Sequence, residues 1–252
     1  MLNKKHKVVM VTGAAGGIGQ AICNLFYRNE YFVIATDVLE RPSSLSCDQY
    51  VQMDFLRLVN ENEYANKLLA YIDELMIGRD LFLLVNNAAL QCVGSINELK
   101  LNDWNASLDI NLTSAFILIK YFLSKLESAN GRVINISSIH AKLTKPNFIA
   151  YATSKAALSG MTKALAVELG SRVKLIAIEP GAIDTPMLLS GFSNSTEKLV
   201  ELERMHPTKS IGSAVDLARL VEFIALFDSA FINGSVISFD GGMGACLHDP
   251  IR

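Results

Sequence analysis

The sequence predicts an α/β fold: a single doubly wound parallel sheet of about seven strands with helices on both faces. Short β-branched runs alternate with longer helical stretches from end to end, the pattern of strands joined by crossover helices. The runs are nearly continuous hydrophobics rather than alternating ones, as parallel strands covered on both faces require. No Pro/Gly/Ser-rich linker, internal repeat or low-complexity tract divides the 252 residues, so 1–252 reads as one domain.

In chain order, VVMVT (8–12) is the first predicted strand, and QAICNLFYR continues into a helix. YFVIAT (31–36) and DQYVQMDF (48–55) supply the second and third strands. LFLLVNN (81–87), RVINIS (132–137), VKLIAI (173–178) and SVISF (235–239) complete seven. The segments 58–77, 102–127, 150–170 and 213–227 are long enough to be crossover helices. In such a sheet, ligands bind beyond the carboxyl ends of the strands, so the residues found there are the ones to weigh.

Composition narrows the function classes. Half the residues are hydrophobic and 19% are charged, enough apolar material for a sizeable core. The net charge is -2 with no basic block, which argues against a nucleic-acid partner. Cys23, Cys47, Cys92 and Cys246 form no CxxC pair and the four histidines no HExxH, so neither a disulfide frame nor a metal site is expected. The N-terminal apolar run is too short for a signal core, and no segment approaches a membrane span. A cytoplasmic protein with no membrane partner is the expectation.

Directly after the first strand comes TGAAGGIG, with Gly13, Gly17 and Gly19. Glycines there let the backbone turn sharply and approach a diphosphate, while the following helix points free N–H groups and its positive dipole end at the anion. The spacing is neither GxGxxG nor a P-loop, and a glycine turn that binds nothing is the plain alternative. Asp37 ends the second strand, where an acid can accept hydrogen bonds from ribose hydroxyls and would repel the extra phosphate of NADP. The nearest cation after it, Arg41, is four residues on. NAD is therefore expected over NADP.

Tyr151 and Lys155 lie four apart, on one face of a predicted helix. Tyr121 and Lys125 have the same spacing, so spacing alone does not choose between them.

Context does. TGAAGGIG, NNAA (86–89), Asn111 in DINLTSAF, the Ser138…Tyr151-x-x-x-Lys155 set and PGAIDT (180–185) follow one another in the order seen in short-chain dehydrogenases/reductases. The chain resembles that family over essentially its whole length; Ala89 stands where the family motif has Gly. The resemblance implies a Rossmann-type sheet and a catalytic serine thirteen residues before the tyrosine, which Ser138 satisfies and Leu108, thirteen before Tyr121, does not. It implies that Tyr151 is the general acid/base, that Lys155 holds the nicotinamide ribose and lowers the phenol pKa, and that Ser138 hydrogen-bonds the substrate oxygen. Asn111 is similar to the residue holding a water behind the lysine. Ile18, Asp54, Asn87, Ala88, Pro180, Gly181, Ile183 and Thr185 complete the implied cofactor contacts, each also readable as a turn or strand-end residue.

The implied activity is hydride transfer between NAD(H) and a small alcohol or ketone: a hydroxy acid, polyol or sugar. Gln91 and His140, with Lys145, Phe148, Met187 and His206, are the substrate-side candidates. Gln91 and His140 are similar to residues of 3-hydroxybutyrate dehydrogenases, but Phe148 stands where those carry a lysine. Residues 186–212 read as a helical lid or a surface insertion. The resemblance further implies a homotetramer or homodimer built on helices 102–127 and 154–170 and the last strand, with the C-terminus reaching a neighbour. Two other classes remain open: an NAD(H)-binding sensor without turnover, and a methyltransferase, which would not need the Ser138, Tyr151, Lys155 set.

Overall fold

The computed structural model describes residues 4–191 and 196–247. Its strands are β1 (Lys7–Thr12), β2 (Phe32–Asp37), β3 (Gln49–Gln52), β4 (Asp80–Asn86), β5 (Arg132–Ile136), β6 (Lys174–Pro180) and β7 (Val236–Phe239). They form one sheet in the order β3-β2-β1-β4-β5-β6-β7, and every pairing is parallel. The order reverses between β1 and β4, which opens a crevice at their carboxyl ends.

The near-continuous apolar runs face two ways, as a strand period of two dictates. Val9, Val11, Val33 and Ile176 pack with Ile22 and Phe26 of α1 (Gly17–Arg28) and with Leu217, Val221 and Ile224 of an α-helix over Ala214–Leu226. Val8, Met10, Ile34 and Leu175 turn to the other face. There they meet Leu58 of α2 (Phe55–Asn60), Leu69 and Ile72 of α3 (Asn62–Leu75), and a helical layer that includes Leu118 and Leu126. Each such side chain contributes about 1.5–3 kcal/mol on burial, so the sheet is the rigid part and the loops at its ends carry the chemistry.

Two expected helices are interrupted. The segment 58–77 splits into α2 and α3 because Asp54 caps an earlier start, its Oδ1 accepting from the backbone N–H of Leu56 and Arg57. Glu61 then breaks the helix in an extended conformation at φ -124°. The segment 102–127 becomes α4 (Leu101–Leu108), a π turn (Asp109–Thr113), α5 (Ser114–Tyr121) and α6 (Leu123–Ser128). The π turn carries Asn111, and single π turns inside helices recur at functional sites. The third strand is shorter than its apolar run, ending at Gln52.

The remaining helices are α7 (Ile149–Leu169), α8 (Pro186–Gly191), α9 (Thr196–Met205) and α10 (Ala214–Leu226). Helices α8 and α9 fall within the expected lid; residues 192–195 of that lid, and 248–252 of the C-terminal reach, lie outside the described residues. No helix among the described residues is long and apolar enough to cross a membrane, and no group of three or more metal-ligating side chains is found among them.

Candidate active site

The glycine loop is set by its own packing. Gly13 has φ +63° and lies so close to Asn87 and Ala88 that an added Cβ would come within 2.7 Å of the Ala88 Cα. A Cβ on Gly19 would strike the Gly13 carbonyl. Thr12 and Asn87 fix the loop from below. The Thr12 hydroxyl oxygen accepts from the N–H groups of Asn87 and Ala88 at 2.9 and 3.0 Å. In return, the Asn87 amide donates to the carbonyls of Thr12 and Gly13. Asn87 therefore shapes the loop with its side chain rather than reaching outward.

α1 starts at Gly17 after an N-cap, Gly16, that supplies no side-chain hydrogen bond, and its first turn holds no acidic residue. The orphan N–H groups of that turn suit a diphosphate, so the residues fit the nicotinamide cofactor that the loop suggested. The Asp37 carboxylate sits against the same loop, accepting from Ala15 N–H at 2.9 Å and Leu39 N–H at 3.0 Å. Thr185 covers the loop from the far side, its Cγ2 2.8 Å from where a Gly17 Cβ would be. Gly181 pairs with Phe239 and Ile183 with Gly212, which seats the 180–185 segment at the sheet end. Asp54 spends its carboxylate capping α2.

Ser138 follows β5, and α7 presents Tyr151 and Lys155 one turn apart on its buried face; Tyr151 is 8% and Lys155 2% exposed. Ser138 stands close enough to the Tyr151 phenol to favour its ionised form. Lys155 Nζ donates to the Ile136 carbonyl at 2.8 Å and lies 5.8 Å from the Tyr151 ring centre. Asn111 does not face this pair with its amide. Its Oδ1 accepts from Leu90 N–H at 2.6 Å, while its Nδ2 donates to the Leu90 carbonyl and to Ser154 Oγ. The side chain thus pins the loop after β4 to α7.

Burial dominates the electrostatics. It pushes the Tyr151 phenol up, and nearby Ser138 acts the other way. It pulls the Lys155 ammonium down to about 7. The expectation that the lysine lowers the tyrosine is not met: a group itself held near 7 is only partly charged at neutral pH, and its ammonium is turned to the Ile136 carbonyl.

Beside Tyr151 stands an aromatic wall. The His140 ring stacks on Phe148 at 4.5 Å and 5°, and meets Tyr151 edge-on at 5.6 Å. Burial and the nearby Lys145 pull the imidazole down to about 4, so it is neutral at pH 7. Lys145 Nζ lies over the Phe148 ring at 4.7 Å. Gln91 lies partly buried in the loop whose Gly94 bridges to Phe148. His206 is not brought to Tyr151 by any contact; it lies in a cavity of about 430 Å³ with Thr208, Ser213, Asp216 and Asp240.

Sequence reasoning missed Thr12, Ser154 and a buried set of Ser137, Ser159 and Glu179. Thr12 sits in the glycine motif and was legible there; the others have no spacing that marks them.

Known proteins agree with this architecture. The short chain dehydrogenase family profile matches residues 7–195. The 3-oxoacyl-(acyl-carrier-protein) reductase FabG of Thermotoga maritima is 32% identical over 94% of this chain and 97% of its own. The aldohexose dehydrogenase of Thermoplasma acidophilum superposes with a TM-score of 0.87 at 27% identity, over 98% of this chain and 97% of that one. ElxO, in a structure with NADP bound, gives 0.81 at 29% identity, over 95% and 99%. The chain belongs to the short-chain dehydrogenase family of oxidoreductases, whose members bind a nicotinamide cofactor.

Proposed function

We propose that this protein transfers a hydride between NAD(H) and a small, uncharged alcohol or ketone, a polyol or sugar rather than a hydroxy acid. The observation that carries the reaction type is the gathering of Ser138, buried Tyr151 and buried Lys155 at the carboxyl end of β5, with Ser138 close enough to act on the phenol and Lys155 Nζ 5.8 Å from the Tyr151 ring centre, where the sequence set them thirteen and four residues apart. Bound nicotinamide supplies the hydride acceptor or donor. Gly13, Gly17, Ile18 and Gly19 would hold its diphosphate, Asp37 the adenosine ribose, and Pro180, Gly181, Ile183 and Thr185 the other side. Asp54, Asn87 and Ala88 border the adenosine end.

Tyr151 Oη gives its proton to the substrate oxygen in reduction and takes it back in oxidation. Ser138 Oγ–H donates to that oxygen as charge develops on it. Lys155 supplies positive charge to the phenolate when protonated, and Asn111 holds the Leu90 loop against α7. Burial keeps the phenol protonated at neutral pH, which suits it as the acid of carbonyl reduction. NAD is preferred over NADP because the Asp37 carboxylate lies against the glycine loop while Arg41 Nη2 is spent on the Leu45 carbonyl.

The neutral substrate rests on the wall beside Tyr151. The His140 imidazole is neutral and stacked on Phe148, so the surface nearest Tyr151 is aromatic and uncharged, with the Lys145 ammonium over the Phe148 ring. Gln91 and His140 then offer hydrogen bonds to further hydroxyls. The likeness to an aldohexose dehydrogenase supports the same class. Residues 186–212 act as a lid that excludes water from the hydride step. A cytoplasmic homotetramer fits the chain best: Cys23 and Cys47 are free thiols, and Phe116 and Tyr121 on α5, Phe223 on α10 and Phe231 in the turn before β7 are large exposed apolar groups.

The test is NADH formation from NAD with polyols, aldoses and 3-hydroxy acids, run beside Tyr151→Phe. A polyol or sugar oxidised by the unaltered chain alone is the expected result. Oxidation of hydroxy acids in preference overturns the substrate class. NADH binding with no turnover on any of them turns the reading to a sensor.

A further inference from the structure

A buried carboxylate paired with a half-exposed lysine lies beside the active site. Glu179, the residue before Pro180 at the end of β6, is 2% exposed. Its Oε1 accepts from Ser159 Oγ at 2.8 Å. Its Oε2 lies 2.7 Å from Lys142 Nζ, on a lysine side chain 53% exposed. The ammonium meets Oε2 off the hydrogen-bond direction, and no other donor among the described residues reaches that atom. Lys142 therefore acts chiefly by neutralising the carboxylate. Ser159 Oγ also lies 2.9 Å from Ser137 Oγ, and Ser137 donates to the Lys155 carbonyl at 2.8 Å; with the one proton of each hydroxyl so placed, the Ser159–Ser137 contact carries none.

Three elements meet in this set. Lys142 closes the short turn Ser138–Lys142, in which the N–H of His140 bonds Ser138 Oγ and the N–H of Ala141 and Lys142 bond Ser138 and Ile139 carbonyls. Glu179 belongs to β6, next to the segment assigned to the cofactor. Ser159 belongs to α7, one turn beyond Lys155. The chain of hydroxyls ends on a main-chain carbonyl, which cannot pass a proton to Lys155 Nζ, so it is no proton path. Its consequence is geometric.

We propose that Lys142 and Glu179 are positioning residues that clamp the turn bearing Ser138 and His140 onto the end of β6, fixing Ser138 Oγ relative to Tyr151. The proposal rests on the hydride-transfer reading for its effect on turnover, but the clamp itself can be read without any substrate. A buried carboxylate that loses its cation is strained, whereas removing both charges relieves it. The single loss at Lys142 is therefore worse than the double replacement.

The experiment compares the unaltered chain with Lys142→Met, Lys142→Arg, Glu179→Gln and Lys142→Met/Glu179→Gln. Amide hydrogen exchange is followed over 138–143, with NADH affinity and kcat on the panel alcohol oxidised fastest. In Lys142→Met, exchange at His140 to Leu143 rises at least tenfold while β5 and β6 are unchanged, kcat falls at least tenfold, and NADH Kd stays within twofold. Lys142→Arg restores kcat to within threefold, and the double variant recovers part of the loss. Unchanged exchange in Lys142→Met overturns the clamp, as does loosening spread evenly over β5 and α7. A loosened turn with kcat unchanged overturns its positioning role. Absence of turnover in the unaltered chain falls on the hydride-transfer reading instead, and exchange still decides the clamp.

Discussion

Tyr121 with Lys125 and Tyr151 with Lys155 share a spacing of four, and the structure gives them opposite fates. Tyr121 is 41% exposed, and Lys125 Nζ pairs with Asp73 at 3.3 Å across the surface. Tyr151 and Lys155 are buried, and no carboxylate is among the hydrogen-bond partners of either. The helical period puts Tyr151 and Lys155 on one face of α7, whereas the helix breaks at Phe122, between Tyr121 at the end of α5 and Lys125 in α6. The chemistry of each pair is decided by the surface it covers. For α7 it is the carboxyl end of β5, where desolvation pulls Lys155 down to about 7; for the other pair it is water.

The largest effect should come from removing one hydroxyl from each pair. Tyr151→Phe should lower kcat/KM by about 10³-fold or more, within the span of general acid–base catalysis plus lost positioning, while NADH affinity stays within a few-fold. Tyr121→Phe should leave both unchanged. Stopped-flow hydride transfer and fluorescence binding on the two variants give the comparison. Equal rates in Tyr151→Phe and the unaltered chain would remove the distinction between the pairs.

Lys155 sharpens it through pH. Its folded value of about 7 lies below its ordinary value near 10.4. Between those limits the unfolded chain binds more protons than the folded one, so stability attributable to this group rises with pH from about 7 to about 10. The burden of burying the ammonium is greatest below 7. The thiols of Cys23 and Cys47 and the phenols of Tyr31, Tyr50 and Tyr151 are pushed up and ionise more readily when unfolded, so they oppose this rise from about 9 upward and reverse the sign above about 10. Lys155→Met should therefore flatten the rise of Tm between pH 7 and 10 and lower kcat at least tenfold. Lys125→Met should do neither. A Tm-against-pH slope identical in Lys155→Met and the parent would mean that Lys155 is not desolvated as the fold implies.

Much of this was legible in the sequence for one physical reason: inner parallel strands must be apolar on both faces, so β1, β2, β4, β5 and β6 stood out as runs, while the edge strands β3 and β7 are only partly buried. The motifs at their carboxyl ends were visible because glycine conformations and the Ser138, Tyr151, Lys155 spacing are local. Helix interruptions were not. Glu61 and the π turn at Asn111 depend on which neighbour each turn packs against. The sign of the Tyr151 shift was missed because spacing shows that a lysine is near but not how deeply both are buried. The Glu179, Ser159 and Ser137 set was invisible for a related reason: its members come from three elements, and only the sheet order brings them together. His140 was legible as a residue near the site, but its stacking on Phe148, which decides its charge, was not.

Cofactor choice is the next smaller effect. Asp37→Ala should lower the ratio of kcat/KM for NAD to that for NADP about tenfold or more, since the carboxylate that repels a 2′-phosphate is gone. The same change removes the bond to Ala15 N–H, so affinity for both cofactors should also weaken modestly. Steady-state kinetics with the two cofactors separates these. An unchanged ratio would move the discrimination to another residue.

The smallest effect belongs to the surface pair. Lys125 and Asp73 lie 3.3 Å apart with side chains 29% and 42% exposed, a geometry in which Coulomb attraction is screened and offset by lost side-chain freedom. Such pairs contribute about 0.2–1 kcal/mol. A double-mutant cycle of Lys125→Ala and Asp73→Ala, read by urea unfolding, should give a coupling in that range that fades as salt rises. If Lys125→Ala instead lowered turnover as Lys155→Met does, spacing alone would be enough to make a pair catalytic. The burial that separates the two helices would then be incidental. A small, salt-sensitive coupling with turnover intact places the difference where the structure does, in the strand end beneath α7.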